Sequence, residues 1–228
     1  MSEPVRLPGL PLFPLQAVLF PGGSLALRIF EVRYLHMIKR CHQDGSPFGV
    51  VALTRGAEVR RPRPVTSEPP SGDAFADEAF FDVGTLATIT HFERPQAGLM
   101  LLQAVGAQRF RLDGVEQLPH GQWVGDAELL ADDAPVAVPD DLDVARQGLR
   151  QLLETLRLEG RPVPLADPLR WDDCGWLANR WCELLPLETA VAQRFMVLDN
   201  PLVRLELVVD TLRQIGFAPP ETGGATAG

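Results

Sequence analysis

Lysine is almost absent from the 228-residue sequence, since Lys39 is the only lysine among 21 basic residues. A P-loop needs a lysine directly after a glycine-rich run, whereas Ile38 precedes Lys39 and Arg40 follows it. A protein kinase needs a strand lysine in a Val-Ala-Ile-Lys setting beneath a glycine-rich loop, and the sequence contains neither feature. P-loop nucleoside triphosphatases and protein kinases are therefore excluded as functions of this sequence.

Long apolar runs and cysteines are also scarce. No apolar stretch approaches the roughly 18 residues that a membrane-spanning helix needs, so we expect no membrane partner. Prolines interrupt the apolar segment at 7–20 and no small-residue cleavage site follows it, which favours mature structure over a signal peptide. The three cysteines, Cys41, Cys174 and Cys182, are too widely spaced for a disulfide framework, and free thiols favour a cytoplasmic location.

The residue types that perform catalysis or bind metals form no recognisable set. His36 and His42 are six residues apart, whereas two histidines that share a metal on one helix are four apart. The cysteines form no CxxC pair, and there is no Gly-x-Ser-x-Gly sequence. We therefore expect a protein that is not an enzyme and has no catalytic residues, metal site or cofactor.

The net charge of −9 disfavours nucleic-acid binding, which depends on cationic contacts to phosphate. The charge is unevenly distributed, however. Residues 1–64 contain 9 basic and 4 acidic residues, a net charge of +5. This segment keeps an RNA-binding alternative open, for which the candidate contacts are Arg55, Arg60, Arg61 and Arg63.

Short apolar segments separated by turns predict a β-rich N-terminal part. An apolar stripe over Glu31–His42 predicts one helix within it. Prolines and charges predict a mobile loop at 60–79. Strands so short and closely spaced favour a barrel or a sandwich. The predicted strands are Leu10–Phe13, Ser24–Ile29, Phe48–Leu53, Val83–Phe92, Leu99–Val105, Arg109–Leu112 and Trp123–Leu129.

The spacing of apolar residues changes to a helical period after an acidic linker. The first helix is predicted at Leu142–Leu158, and Asp172 or Asp173 is predicted to cap the second. Pro186 is predicted in the first turn of a third helix, and Asn200-Pro201 at the start of a fourth. The predicted organisation is a β-barrel subdomain at 1–131, a linker at 132–141, a helical subdomain at 142–216 and a flexible tail at 217–228.

Eight segments of the sequence carry a recognisable pattern: Leu10–Leu15, Val18–Gly22, Leu27–Tyr34, Phe48–Val51, Val83–Ala87, Gly106–Arg111, Leu184–Glu188 and Gln193–Phe195. In this order they resemble the N-terminal domain of Lon protease. The resemblance covers roughly residues 7–216. It implies an α+β fold, in which a PUA-like antiparallel β-barrel with one inserted helix precedes a C-terminal helical bundle. Val32 departs from the family pattern, which often has proline there.

The resemblance also implies a function. In Lon this region helps to bind unfolded or tagged proteins and supports hexamer assembly, while the ATPase and peptidase lie downstream. We therefore expect a non-enzymatic polypeptide-binding module without ATPase or peptidase parts. Its expected partners are unfolded or tagged polypeptides, with a separate protease or chaperone and self-association as further options.

The candidate polypeptide-binding residues lie where a strand is predicted to meet a helix: Arg28, Phe30, Glu31, Arg33 and Tyr34. In one interpretation, they form a rim where apolar and cationic groups contact an extended peptide. In the other, Glu31 pairs with an arginine to fix the junction while Phe30 and Tyr34 fill the core. The sequence alone leaves both interpretations open.

Overall fold

The computed structural model describes residues 4–55, 78–163 and 165–217. Within them the chain forms seven strands, five α-helices and a short 3-10 helix at Asp140–Leu142. The predicted mobile loop lies outside the described residues except for its last two, and so does the predicted tail after Phe217. The strands are β1 Arg6–Leu15, β2 Ser24–Ile29, β3 Phe48–Arg55, β4 Ala79–Phe80, β5 Val83–Gln96, β6 Leu99–Gln117 and β7 Trp123–Leu129. The helices are α1 Val32–Asp44, α2 Asp143–Leu158, α3 Cys174–Leu184, α4 Thr189–Val197 and α5 Pro201–Gln214.

The strands form one mainly antiparallel sheet whose pairings close into a ring. The order is β1-β7-β6-β5-β3, and β1 then pairs with β3 to complete the circuit. This last pairing is parallel, over Leu12–Leu15 and Gly49–Ala52, unlike the antiparallel pairing predicted throughout. β2 lies off the ring and pairs with β6. The sheet encloses apolar side chains, including Leu12, Phe48 and Phe110, none of which is exposed.

β6 is a single strand of 19 residues, although the sequence predicts two shorter strands there. The strand continues through Gly106, which lies against the turn that precedes β2. A Cβ atom on Gly106 would be 2.2 Å from the carbonyl oxygen of Phe20. The missing side chain allows two backbone bonds instead, from the N–H of Gly22 to the Gly106 carbonyl and from the N–H of Gly106 to the Gly23 carbonyl.

The described residues divide into two compact units. The first contains the residues up to Asp132 together with Pro186–Val197, and the second contains Asp133–Leu185 and the residues from Leu198. α4 thus belongs to the strand unit, where Gln193 donates to the carbonyl oxygen of Val83 at 2.8 Å. The domain boundaries drawn from the sequence place α4 with the other helices and remain a prediction.

Two of the predicted helix starts are confirmed. The Asp173 carboxylate accepts a hydrogen bond from the N–H of Trp176, and the Asn200 side chain accepts from Leu202 and Val203. The prediction that Pro186 starts a helix is wrong, because α4 begins at Thr189.

The second unit holds a largely buried ion pair within α3. Arg180 is fully buried and donates to both carboxylate oxygens of Glu183, at 2.8 and 2.6 Å. Burial raises the pKa of Glu183 to about 7, although the charge and hydrogen bonds of Arg180 lower it. The folded chain therefore holds a proton on Glu183 more tightly than the unfolded chain does.

This pair predicts that stability falls as pH rises. The contribution of Glu183 is fully present below the ordinary glutamate pKa of about 4 and is lost as pH rises through about 7. We expect the free energy of unfolding of the unmodified protein to decline by about 1–3 kcal/mol between these limits, and Glu183→Gln to remove that decline. Denaturant unfolding of both proteins from pH 4 to 8 measures the difference, and parallel stability curves would contradict the prediction.

Candidate functional site

The residues that connect β2 to α1 divide into an exposed set and a buried set. Phe30 is 53% exposed and Val32 is 69% exposed, although both are large and apolar. Arg33 and Tyr34 are only 5% and 2% exposed. Arg28 is exposed on β2. The five predicted residues are therefore neighbours, but they face different environments.

Arg33 is held by carboxylates on two sides. Its Nε lies 3.0 Å from Glu31, and its two terminal nitrogens lie 3.1 and 3.0 Å from the two carboxylate oxygens of Glu78. The indole N–H of Trp123 also donates to Glu78, at 2.7 Å. Burial alone lowers the pKa of Arg33. The hydrogen bond and charge of Glu78, together with the electrostatic effects of Tyr34 and Glu31, outweigh burial and raise the pKa overall. Arg33 thus fixes the junction between β2 and α1.

Tyr34 belongs to the core of the strand unit. Its ring stacks on Phe13 with a centroid separation of 4.2 Å, and the Arg33 guanidinium lies 4.3 Å from the Tyr34 ring centroid. The interpretation in which Glu31 pairs with an arginine and Tyr34 fills the core agrees with the Glu31–Arg33 pair and with the buried Tyr34 ring. It is wrong for Phe30, which is exposed rather than part of the core.

A cavity of about 240 Å³ opens beside the exposed Phe30. Four of the five predicted residues line it, namely Arg28, Phe30, Glu31 and Tyr34. The remaining lining is Phe13 and Leu15 of β1 and Ala26, Leu27 and Ile29 of β2, which the sequence did not identify as site residues. We call the cavity together with Arg28, Phe30 and Val32 the junction surface.

The strand unit also contains a larger groove of about 660 Å³ that the sequence did not predict. The start of β1, one face of α1 and the segment before β7 line it. Its charged residues Arg40 and Asp44 lie 3.6 Å apart and pair with each other. Cys41 lies at the same groove, and burial raises the pKa of its thiol, so the protonated form prevails at neutral pH.

The alternative nucleic-acid contacts are mostly not described by the structure. Arg55 is exposed at the end of β3, whereas Arg60, Arg61 and Arg63 lie outside the described residues. Over the ranges that the structure describes, no group of three or more His, Cys, Asp or Glu side chains could hold a metal ion. None of the helices described is both long and apolar enough to cross a membrane.

Burial also makes the remaining thiols poor nucleophiles. It raises the pKa of Cys174 to about 11 and that of Cys182 to about 12. Because the thiolate is the reactive form, neither cysteine is activated for nucleophilic catalysis.

Comparison with known proteins identifies the fold and the family. The model of the substrate-binding domain of ATP-dependent protease La (LON) matches residues 9–214. A Lon N-terminal domain protein from Xanthomonas campestris is 26% identical, with a TM-score of 0.63 over 90% of this chain and 98% of that one. The N-terminal domain of Mycobacterium avium complex Lon protease is 14% identical, with a TM-score of 0.52 over 89% and 96%. No curated protein matches the chain by sequence.

These matches confirm the predicted mixed fold of a mainly antiparallel sheet with helices. The chain belongs to the LON substrate-binding domain family, because the family model covers most of its length. A polypeptide-binding role follows at the level of the family. The comparisons give no support to the RNA-binding alternative.

Proposed function

We propose that the chain captures unfolded or tagged polypeptides at the junction surface, without catalysis of its own. The observation that carries the proposal is that the exposed Phe30 lines a cavity whose side chains are mostly apolar, with the exposed Val32 two residues further along the chain. Buried apolar contact stabilises a complex by about 1.5–3 kcal/mol for each large side chain that leaves water. Phe30 at the cavity and Val32 close to it in the chain are therefore suited to bind apolar side chains of a partner.

The size of the cavity favours a side chain over a small-molecule ligand. Drug-sized ligands occupy pockets of roughly 300–1,000 Å³, whereas this cavity has about 240 Å³. Its lining side chains are apolar apart from Arg28, Glu31 and the hydroxyl of Tyr34, and Glu31 is already paired with Arg33. A leucine, methionine or phenylalanine side chain suits such a cavity.

The biological setting is part of the proposal. A separate protease or chaperone would receive the captured polypeptide, and self-association would present several junction surfaces to one client. The three cysteines are buried and unbridged, which supports a cytoplasmic location.

Binding of an unfolded polypeptide tests the proposal. Fluorescein-labelled, carboxymethylated lactalbumin is titrated with the protein, and fluorescence anisotropy is recorded at low and moderate salt. We expect binding that persists at moderate salt and falls about 10-fold or more in the double variant Phe30→Ser/Val32→Ser, because two apolar contacts are lost.

The control is the double variant Val115→Ser/Leu158→Ser, which removes two exposed apolar side chains elsewhere. It should bind the polypeptide like the unmodified protein. An equal loss in both double variants would contradict the junction surface as the site. Binding to single-stranded RNA that weakens steeply with salt, without polypeptide binding, would overturn the proposal in favour of the basic segment.

A further inference from the structure

One edge of β2, without a neighbouring strand among the described residues, borders the cavity of the junction surface. β2 pairs with β6 along its whole length, and β6 is its only strand partner among the described residues. β1 pairs with β7 only as far as Leu12, then continues to Leu15 with β3 on its other edge. Beyond Leu12, β1 therefore has no strand on its former β7 edge within the described chain.

The cavity lies between the end of β1 and the unpaired edge of β2. Phe13 and Leu15 of β1 line one side, and the four consecutive β2 residues 26–29 line the other. Successive residues of a strand point to opposite faces of a sheet. A cavity bordered by four consecutive residues therefore follows the edge of the β2 backbone rather than one face of the strand.

The side chains of β2 give this edge two different faces. Leu27 is half-buried and Ile29 is buried, so one face is apolar and continues into the cavity. Ala26 and Arg28 are exposed on the other face. Arg28 has no ion-pair partner among the described residues, while Glu31 is held by Arg33. The charge that this edge offers to a partner is therefore positive.

We propose that the junction surface binds a polypeptide as an added strand along the free edge of β2. The added strand places an apolar side chain in the cavity and an acidic side chain beside Arg28. A strand edge supplies backbone donors and acceptors to any sequence, while the alternate side chains provide selectivity. The preferred partner is thus an extended segment in which apolar and acidic residues alternate. This inference rests on the proposed function of the same surface.

Backbone methylation of a peptide tests strand addition directly. The probe is a fluorescein-labelled octapeptide of four Glu-Leu repeats. N-methylation of its four leucines blocks the hydrogen bonds along one edge, and methylation of its four glutamates blocks the other edge. We expect at least one single-edge peptide to bind within about 3-fold of the parent, and the fully methylated peptide at least 10-fold more weakly.

Two results would overturn strand addition. Full methylation without loss of binding would show that side chains alone carry the interaction. Loss of binding in both single-edge peptides would show that the peptide does not use one edge only.

Charge reversal tests the role of Arg28. We expect a Lys-Leu octapeptide to bind the unmodified protein roughly 2–5-fold more weakly than the Glu-Leu peptide, a range typical of an exposed ion pair. Arg28→Glu should reverse that preference. Arg94→Glu, an equal charge change at another exposed arginine of the strand unit, should leave it unchanged. An unchanged preference in Arg28→Glu, or an equal change in both variants, would overturn the assigned partner chemistry.

The lactalbumin titration separates failure of this inference from failure of the proposed function. If lactalbumin binding is lost in Phe30→Ser/Val32→Ser while full methylation has no effect, the surface binds polypeptides but not by strand addition. If neither lactalbumin nor any octapeptide binds, the proposed function fails, and strand addition fails with it.

Discussion

Replacing Arg33 with methionine should lower the free energy of unfolding by about 3–5 kcal/mol. The substitution keeps an unbranched side chain but leaves the Glu78 carboxylate, whose side chain is 3% exposed, without its guanidinium partner. A buried charge without a partner is far more costly than the intact pair is favourable. Chemical denaturation followed by circular dichroism measures the effect.

The matched control is Arg28→Met, five residues earlier on the exposed face of β2. Its free energy of unfolding should change by no more than about 0.5 kcal/mol, as expected for an exposed position. If Arg33→Met kept full stability and instead lost polypeptide binding, Arg33 would contact the ligand rather than fix the junction. The two variants therefore separate the two interpretations of this segment.

Replacing Arg204 with methionine should destabilise the second unit by a similar amount, about 3–5 kcal/mol. Arg204 is 1% exposed, and its terminal nitrogens lie 2.5 and 3.2 Å from the two carboxylate oxygens of Asp133. The same guanidinium donates to the side-chain oxygen of Asn179 and to the carbonyl oxygen of Leu198. Methionine would leave all three acceptors without this donor.

Arg213→Met on the same helix is the control, since Arg213 is exposed and pairs with the exposed Asp210. It should alter the free energy of unfolding by no more than about 0.5 kcal/mol. Hydrogen exchange in each variant identifies the unit that is affected. Equal destabilisation by the two substitutions would show that the buried contacts of Arg204 stabilise the protein no more than the exposed pair of Arg213 does.

Local features of the fold were the most predictable from the sequence. β2 has the predicted bounds because alternating apolar and polar residues define it, and β7 also has the predicted bounds. The caps Asp173 and Asn200 were identified for a similar reason, since a cap bonds to backbone only two or three residues away. In each case the deciding interaction lies within a few residues of the chain.

Features that depend on distant residues were not predictable. No local pattern indicates that Arg33 meets Glu78, 45 residues further along. The continuity of β6 depends on the approach of the Phe20 turn to Gly106, and α4 joins the strands through contacts such as that of Gln193 with Val83. The cavity requires the end of β1 to lie opposite β2, which only the assembled sheet determines.

The division of the chain into units also constrains the order of folding during synthesis. α4 contributes to the first unit, yet it follows α2 and α3 of the second unit in the chain. A ribosome must therefore produce most of the second unit before the first can be completed. α5, which belongs to the second unit, emerges only afterwards. The first unit can therefore be completed only after α2 and α3 have been made, and the second only after α4 has been made.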